Sequence, residues 1–238
     1  MLSKRSCLAA LGWAIFGLFW LSQPEKYLEL ADYFNVALVI AAGILCLYMA
    51  SAVYRKGFSS GAASWASYAA AVCGLLYFPF SELQPLHDGL IAATTLLTAL
   101  ALQSLSVPVV LSGWNTMTLN GGTVEIILAC TAIESVALFS GVILSVRAPI
   151  GRRLAALAFS TVTIYALNIA RNGFVLVAYG WAWFGDDSFY IAHSIIAKAG
   201  SAVALVAVSY VVLRILPELL AAIEGLAAEI RPSGGGAA

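Results

Sequence analysis

Three side chains in the second half of the chain have the types needed for covalent chemistry. Cys130 lies in Ala129-Cys130-Thr131-Ala132-Ile133-Glu134-Ser135, within a membrane-length apolar run. Arg171 lies in Asn168-Ile169-Ala170-Arg171-Asn172, and His193 opens His193-Ser194-Ile195-Ile196-Ala197-Lys198, each in a later apolar run. Ionisable groups inside hydrocarbon are expensive, and by default they mark function. A thiolate is a nucleophile. An imidazole can take the proton of a thiol and return it to a leaving amine. A guanidinium, always charged, can lower a thiol pKa or donate to the oxyanion of a tetrahedral intermediate.

Helpers stand nearby in sequence. Glu134, read as one turn after Cys130 on a shared helix face, could pair with Arg171 or orient His193. Asn168 and Asn172 flank Arg171 and add neutral donors and acceptors to its helix. Lys198 is a second cation on the His193 segment and reads as a structural or headgroup-facing charge. Each residue alone also has a plain reading. A single membrane cysteine is a small inert hydrophobe, a histidine at a helix start is an interfacial anchor, and Arg171 with Glu134 is a structural interhelical pair.

The elements that must position these groups follow from composition. The chain has 238 residues, 62% hydrophobic and 10% charged. A soluble domain carries about 25% charged residues, so the expected class is an all-α polytopic membrane protein. Net charge is zero and the 12 basic residues are scattered, which argues against a nucleic-acid partner. Cys7, Cys46, Cys73 and Cys130 show no CxxC spacing, so neither a disulfide framework nor a zinc site is expected. Lys4 and Arg5 precede an apolar stretch that no small-x-small site follows; it reads as a retained first span with a cytoplasmic N-terminus.

Apolar runs cover roughly residues 7–22, 33–54, 61–80, 90–105, 124–146, 154–181 and 189–214. A span needs about 20 residues, and run 90–105 is short. If it lies embedded in the outer leaflet, Lys4/Arg5, Arg55/Lys56, Arg147/Arg152/Arg153 and Arg214 all face the cytoplasm. The expectation is then about six transmembrane helices, one embedded outer helix and a small hairpin in the outer loop 106–123. That hairpin would pair Val107–Leu111 with Thr116–Leu119 around Ser112-Gly113 and end at Gly121-Gly122. Residues 216–230 read as an amphipathic surface helix and 231–238 as a flexible tail. The whole of 1–230 is taken as one integral domain with its catalytic core at about 80–214. In this orientation a helix entering near Thr123 puts Cys130 about 10 Å along it, and Arg171 stands about 15 Å from its own exit. His193 begins the last span, so all three groups fall in the outer half of the membrane.

At these residues the chain resembles the exosortase/archaeosortase superfamily of membrane transpeptidases. That family has an Ala-Cys-Ser/Thr-Gly-Ile-x-Ser motif opening one helix, an Arg on the next, and a His or Arg on the one after. The corresponding positions are Cys130, Arg171 and His193, and the likeness extends over roughly 80–214. It is closer to the archaeal branch through Ile164-Tyr-Ala-Leu-Asn-Ile-Ala-Arg-Asn172 and Leu216-Pro-Glu-Leu-Leu220. Two positions depart: Ala132 stands where the family has Gly, a small-for-small change, and His193 where many archaeal members have Arg. The resemblance implies an enzyme that cuts a C-terminal sorting signal on surface proteins: a short motif (Pro-Gly-Phe in the archaeal branch), a hydrophobic helix and a basic tail. It would pass the new C-terminus from a Cys130 thioester to a lipid headgroup, with no metal or organic cofactor. Two rival readings remain at this stage. One is intramembrane cysteine proteolysis with water as acceptor. The other is a small transporter or lipid-binding protein, although the inverted repeats and broken helices common in transporters are not visible.

Overall fold

The apolar runs become helices. The computed structural model describes residues 4–29, 33–56 and 61–230, so the tail 231–238 lies outside the described residues. Helices α1 (Lys4–Leu21), α2 (Pro24–Glu29), α3 (Tyr33–Lys56), α4 (Gly61–Glu82) and α5 (Gln84–Ser104) precede a small sheet. After it come α6 (Ile133–Ser145), α7 (Ile150–Gly180), α8 (Ser188–Tyr190), α9 (Lys198–Ile215) and α10 (Pro217–Ile230). Between α8 and α9 the chain continues as a π-helix over Ile191–Ala197. The protein is an all-α polytopic membrane protein with a β cap. Its helices turn long apolar side chains outward, Leu75 at 75% and Val203 and Val206 at 71% exposure among them, as a lipid-facing surface requires.

Five helical segments are long and apolar enough to cross a membrane: Asn35–Arg55, Ala63–Glu82, Gln84–Ser104, Ile150–Gly180 and Gly185–Ile215. This changes two expectations. The helix anticipated near residues 90–105 begins earlier, at Gln84, and reaches 21 residues, so shortness no longer sets it apart. Leu83 has extended backbone and Pro85 stands in the first turn, where a missing N–H costs nothing and φ is already helical. Conversely, run 124–146 is not one helix. It divides into a strand, a turn and the 13-residue α6, about 20 Å long. The first run is likewise a shorter apolar helix, Ser6–Leu21.

The chain packs as two compact units, one of residues up to Ser67 with those from Ala222 onward, the other Tyr68–Ala221. In the first, α1 and α3 meet glycine to glycine: a Cβ on Gly17 would lie 3.2 Å from the Gly43 carbonyl, and one on Gly43 3.2 Å from that of Gly17. Such close backbone approach is the common currency of membrane helix pairs. Ala10, Met49, Val53 and Ala63 form its core, with Leu226 of α10 against them.

The second unit is built around α7, whose 31 residues make a rod of about 45 Å. Its cap is an antiparallel sheet of β1 (Val110–Leu111), β2 (Thr116–Leu119) and β3 (Gly122–Glu125), in that order. The β1–β2 hairpin forms around Ser112-Gly113 as expected. The third strand was not anticipated: Gly121-Gly122 continues the sheet rather than ending it. Asn120 and Gly121 both have positive φ, +50° and +85°, the geometry of a two-residue hairpin turn that favours Asn-Gly. Met117, Leu119, Val124 and Ile126 face inward and join Ile91, Ala99, Leu102, Leu176 and Val177 in one core. The sheet sits directly on α7, since a Cβ on Gly180 would lie 2.7 Å from the Leu119 carbonyl. Alongside, Thr94 Oγ1 of α5 lies 3.1 Å from Tyr165 Oη of α7, and Leu102 packs over Gly173. At the other end of α7, Arg153 donates to the Leu144 carbonyl at 3.1 Å. Arg152 makes a two-point ion pair with Glu218 at the start of α10.

Candidate active site

Cys130 is not inside a helix. It closes a short 3₁₀ turn, Leu128–Cys130, between β3 and α6. The expectation of a helix entering near Thr123 with Cys130 partway along it is therefore corrected. The physical reason is Ala132, whose φ of 62° and ψ of 9° are left-handed; no α-helix runs through such a residue. The turn closes on itself. Cys130 N–H donates to the Ile127 carbonyl at 2.8 Å and Thr131 N–H to that of Leu128 at 3.0 Å. The buried Thr131 hydroxyl donates to the same Leu128 carbonyl at 2.7 Å. The Cys130 side chain is half-buried and its thiol free, packed at the edge of the cap core.

What ties this turn to the bundle comes from α7. The side-chain amides of Asn168 and Asn172 both donate to the main-chain carbonyl of Cys130, at 2.7 and 2.9 Å. Both asparagines are buried, and they are four apart, so they share one face of α7. Arg171 lies between them in sequence on the adjacent face. Its Nε is buried without a hydrogen-bond partner, which leaves a permanent cation with an unspent donor. Glu134 does not supply that partner. It is exposed in the first turn of α6, and because Cys130 is outside α6 the two share no helix face. Among the described residues neither Glu134 nor Arg171 forms an ion pair, so the expected Glu134–Arg171 pairing is not found.

His193 lies in the π-helix Ile191–Ala197, which packs on α7. Single π turns inserted in helices re-aim side chains and are frequent at functional sites. The imidazole is half-buried and stacks flat on Phe189, with centroids 5.2 Å apart and planes at 7°. Phe189 in turn meets Tyr179 of α7 edge-on at 5.5 Å. The connection into α8 is fixed by Ser188, whose hydroxyl donates to the Gly185 carbonyl at 2.6 Å and accepts from Phe184 N–H at 2.9 Å. Arg171 is carried by α7, the helix against which the His193 π-helix packs. Lys198 is exposed at the start of α9. No hydrogen bond joins the Cys130 thiol to Arg171 or His193 among the described residues. Nor do three His, Cys, Asp or Glu side chains gather there as a metal site would need.

A family model described as transmembrane exosortase matches residues 2–214. The chain belongs to the exosortase family. Among its relatives, archaeosortase A of Haloferax volcanii is 32% identical over 94% of this chain and 84% of its own length. Archaeosortase A of Natronomonas pharaonis is 26% identical over 90% and 76%. No solved structure matches the chain.

In this exosortase the structure thus joins three of the sequence-selected residues, Cys130 with Asn168 and Asn172, and packs the π-helix that carries His193 on α7, the helix that carries Arg171. Sequence reasoning overlooked two further residues and undervalued a third. Thr131 braces the turn and Phe189 backs the imidazole. Ala132 sets the break before α6, and its position carried a signal. Where the family motif has Gly, the chain needs the left-handed backbone that glycine adopts without cost. The substitution is small for small in volume but not in conformation.

Proposed function

We propose that this exosortase is a cysteine transpeptidase acting on the C-terminal sorting signals of surface proteins. Cys130 is the nucleophile, Arg171 stabilises the thiolate or the oxyanion, and His193 is the acid and base. The observation that carries the reading is the pair of asparagine amides on the Cys130 carbonyl, because it holds the thiol-bearing turn against the helix that carries Arg171. The reaction balances in two steps. The Cys130 sulfur adds to the scissile carbonyl, the C–N bond breaks, and the proton taken from the thiol passes through His193 to the leaving amine. A lipid headgroup nucleophile then adds to the thioester, gives up its proton to His193, and expels the Cys130 sulfur, which regains it. The substrate helix lies beside the bundle in lipid, with its Pro-Gly-Phe-like motif emerging at the cap, on the extracytoplasmic side.

The test is the intact C-terminal mass of a surface protein that ends in such a signal, co-expressed with wild-type enzyme or with Cys130→Ala. Loss of the C-terminal helix with gain of a lipid mass, absent in Cys130→Ala, is the expected result. Loss of the helix with a bare carboxylate would replace the lipid acceptor by water and make the enzyme a protease. Processing that survives in Cys130→Ala removes the mechanism.

A further inference from the structure

One carbonyl in the turn receives more than folding asks for. The turn is already closed by its own bonds, Cys130 N–H to Ile127 and Thr131 N–H to Leu128, and α6 begins its ladder only at the Ala132 carbonyl, which accepts from Val136 at 3.0 Å. Yet two amides from α7, only 7% and 4% exposed, converge on the Cys130 oxygen. A carbonyl oxygen has two lone pairs, so both are occupied. In the same helix stands Arg171, with its Nε buried and unpartnered. A bond from guanidinium to an open oxygen is charge-assisted and strong. An unclaimed main-chain carbonyl against this helix would compete for that cation with a thiolate or an oxyanion.

The geometry points to Asn168 and Asn172 as positioning residues: a two-amide clamp that fixes the Cys130 peptide on α7 and withholds its carbonyl from Arg171. The inference rests on Cys130 being the nucleophile proposed above. With Cys130 N–H held by Ile127 and its C=O held by the clamp, both peptides flanking the Cα are fixed. The direction of the Cα–Cβ bond follows, and rotation about χ1 is the thiol's remaining freedom. Arg171 is left with donors free to meet charge that develops during reaction, which is where a preorganised cation contributes most.

The full-length enzyme in phospholipid vesicles tests this with Asn168→Leu and Asn172→Leu, which keep roughly the side-chain shape and delete the donor without adding a charge. The first readout needs no substrate: the rate at which iodoacetamide alkylates Cys130, followed by peptide mass, with Cys73 in the same sample as reference. The second is kcat and KM for a reporter protein ending in Pro-Gly-Phe, an apolar helix and a basic tail. Losing a buried hydrogen bond is worth about tenfold or more in an equilibrium or rate. Cys130 alkylation is therefore expected to slow about tenfold while Cys73 changes less than about twofold, and kcat to fall about tenfold or more with KM within about threefold. Cys130 alkylation within about twofold of wild type overturns the clamp. So does a parallel change at Cys130 and Cys73, which would report general loosening. Asn172→Ala, smaller and also without a donor, is measured by the same criteria and supplies the answer if a Leu variant does not fold. Failure of the transpeptidase reading shows separately, as a reporter left uncut by wild type or cut by Cys130→Ala, and the alkylation comparison still decides the clamp.

Discussion

Ala132→Gly should stabilise this protein, an unusual outcome for a glycine introduced at the start of a helix. At φ 62° and ψ 9° the alanine Cβ crowds the following carbonyl, at a cost of about 1–2 kcal/mol for an L residue. Glycine removes that cost but gives the unfolded chain more freedom, worth about 0.5–1 kcal/mol in the opposite direction. The difference is a net gain of about 0.5–1 kcal/mol. For a chain of this size that raises Tm by about 1–4 °C. The measurement is thermal unfolding in a fixed detergent, monitored by circular dichroism, with Ala137→Gly as the companion. Ala137 is fully buried within α6, where glycine in place of alanine costs about 1 kcal/mol, so its Tm should fall. Ala132→Val should fall as well, because a β-branched residue fits the left-handed region worst. If Ala132→Gly lowers Tm as Ala137→Gly does, residue 132 is helical. Cys130 then belongs to a continuous helix, and the turn on which the site geometry rests does not exist.

Other expectations follow from the same contacts. Gly180→Ala should destabilise by about 1–3 kcal/mol, since its Cβ would fall 2.7 Å from the Leu119 carbonyl and lift the cap off α7; unchanged Tm would mean the cap sits elsewhere. Glu134→Gln should leave Tm within about 1 °C and the processing rate within about twofold, because the carboxylate is exposed and unpaired; a loss of tenfold or more would restore it to the mechanism. Arg152→Ala should lower Tm slightly at low salt and less at 0.5 M salt, as an exposed ion pair does. Glu218 is held below the usual carboxylate pKa, first by its backbone hydrogen bond at the start of α10 and then by Arg152. Its folded value being the lower one, the stabilisation is present above the ordinary carboxylate pKa and fades as pH falls through the lowered value. The salt effect should therefore vanish in acid, which a Tm series against pH would show.

Much of this fold is legible as hydrophobic runs, since each of the seven yields an apolar helix. The failures have physical causes. Val124-Glu125-Ile126-Ile127-Leu128 is apolar enough to extend the following helix, yet its β-branched residues suit a strand equally, and periodicity over so short a run does not separate the two. Asn120-Gly121 was the better guide, because both residues take the positive φ that such a turn requires. The spacing of Asn168 and Asn172 put two amides on one helix face, but their common acceptor is a main-chain carbonyl about 40 residues away in sequence, and no side chain records it. The misplacement of Cys130 follows from that same limit and explains why the site is built as it is. In the interior of a helix the Cys130 carbonyl would be bonded four residues onward, and its thiol would be confined to helical rotamers. Breaking the helix at Ala132 frees the carbonyl to accept from α7. The left-handed residue and the paired asparagines are thus two halves of one arrangement: the first releases the Cys130 backbone from α6, and the second secures it on α7, the helix that carries Arg171.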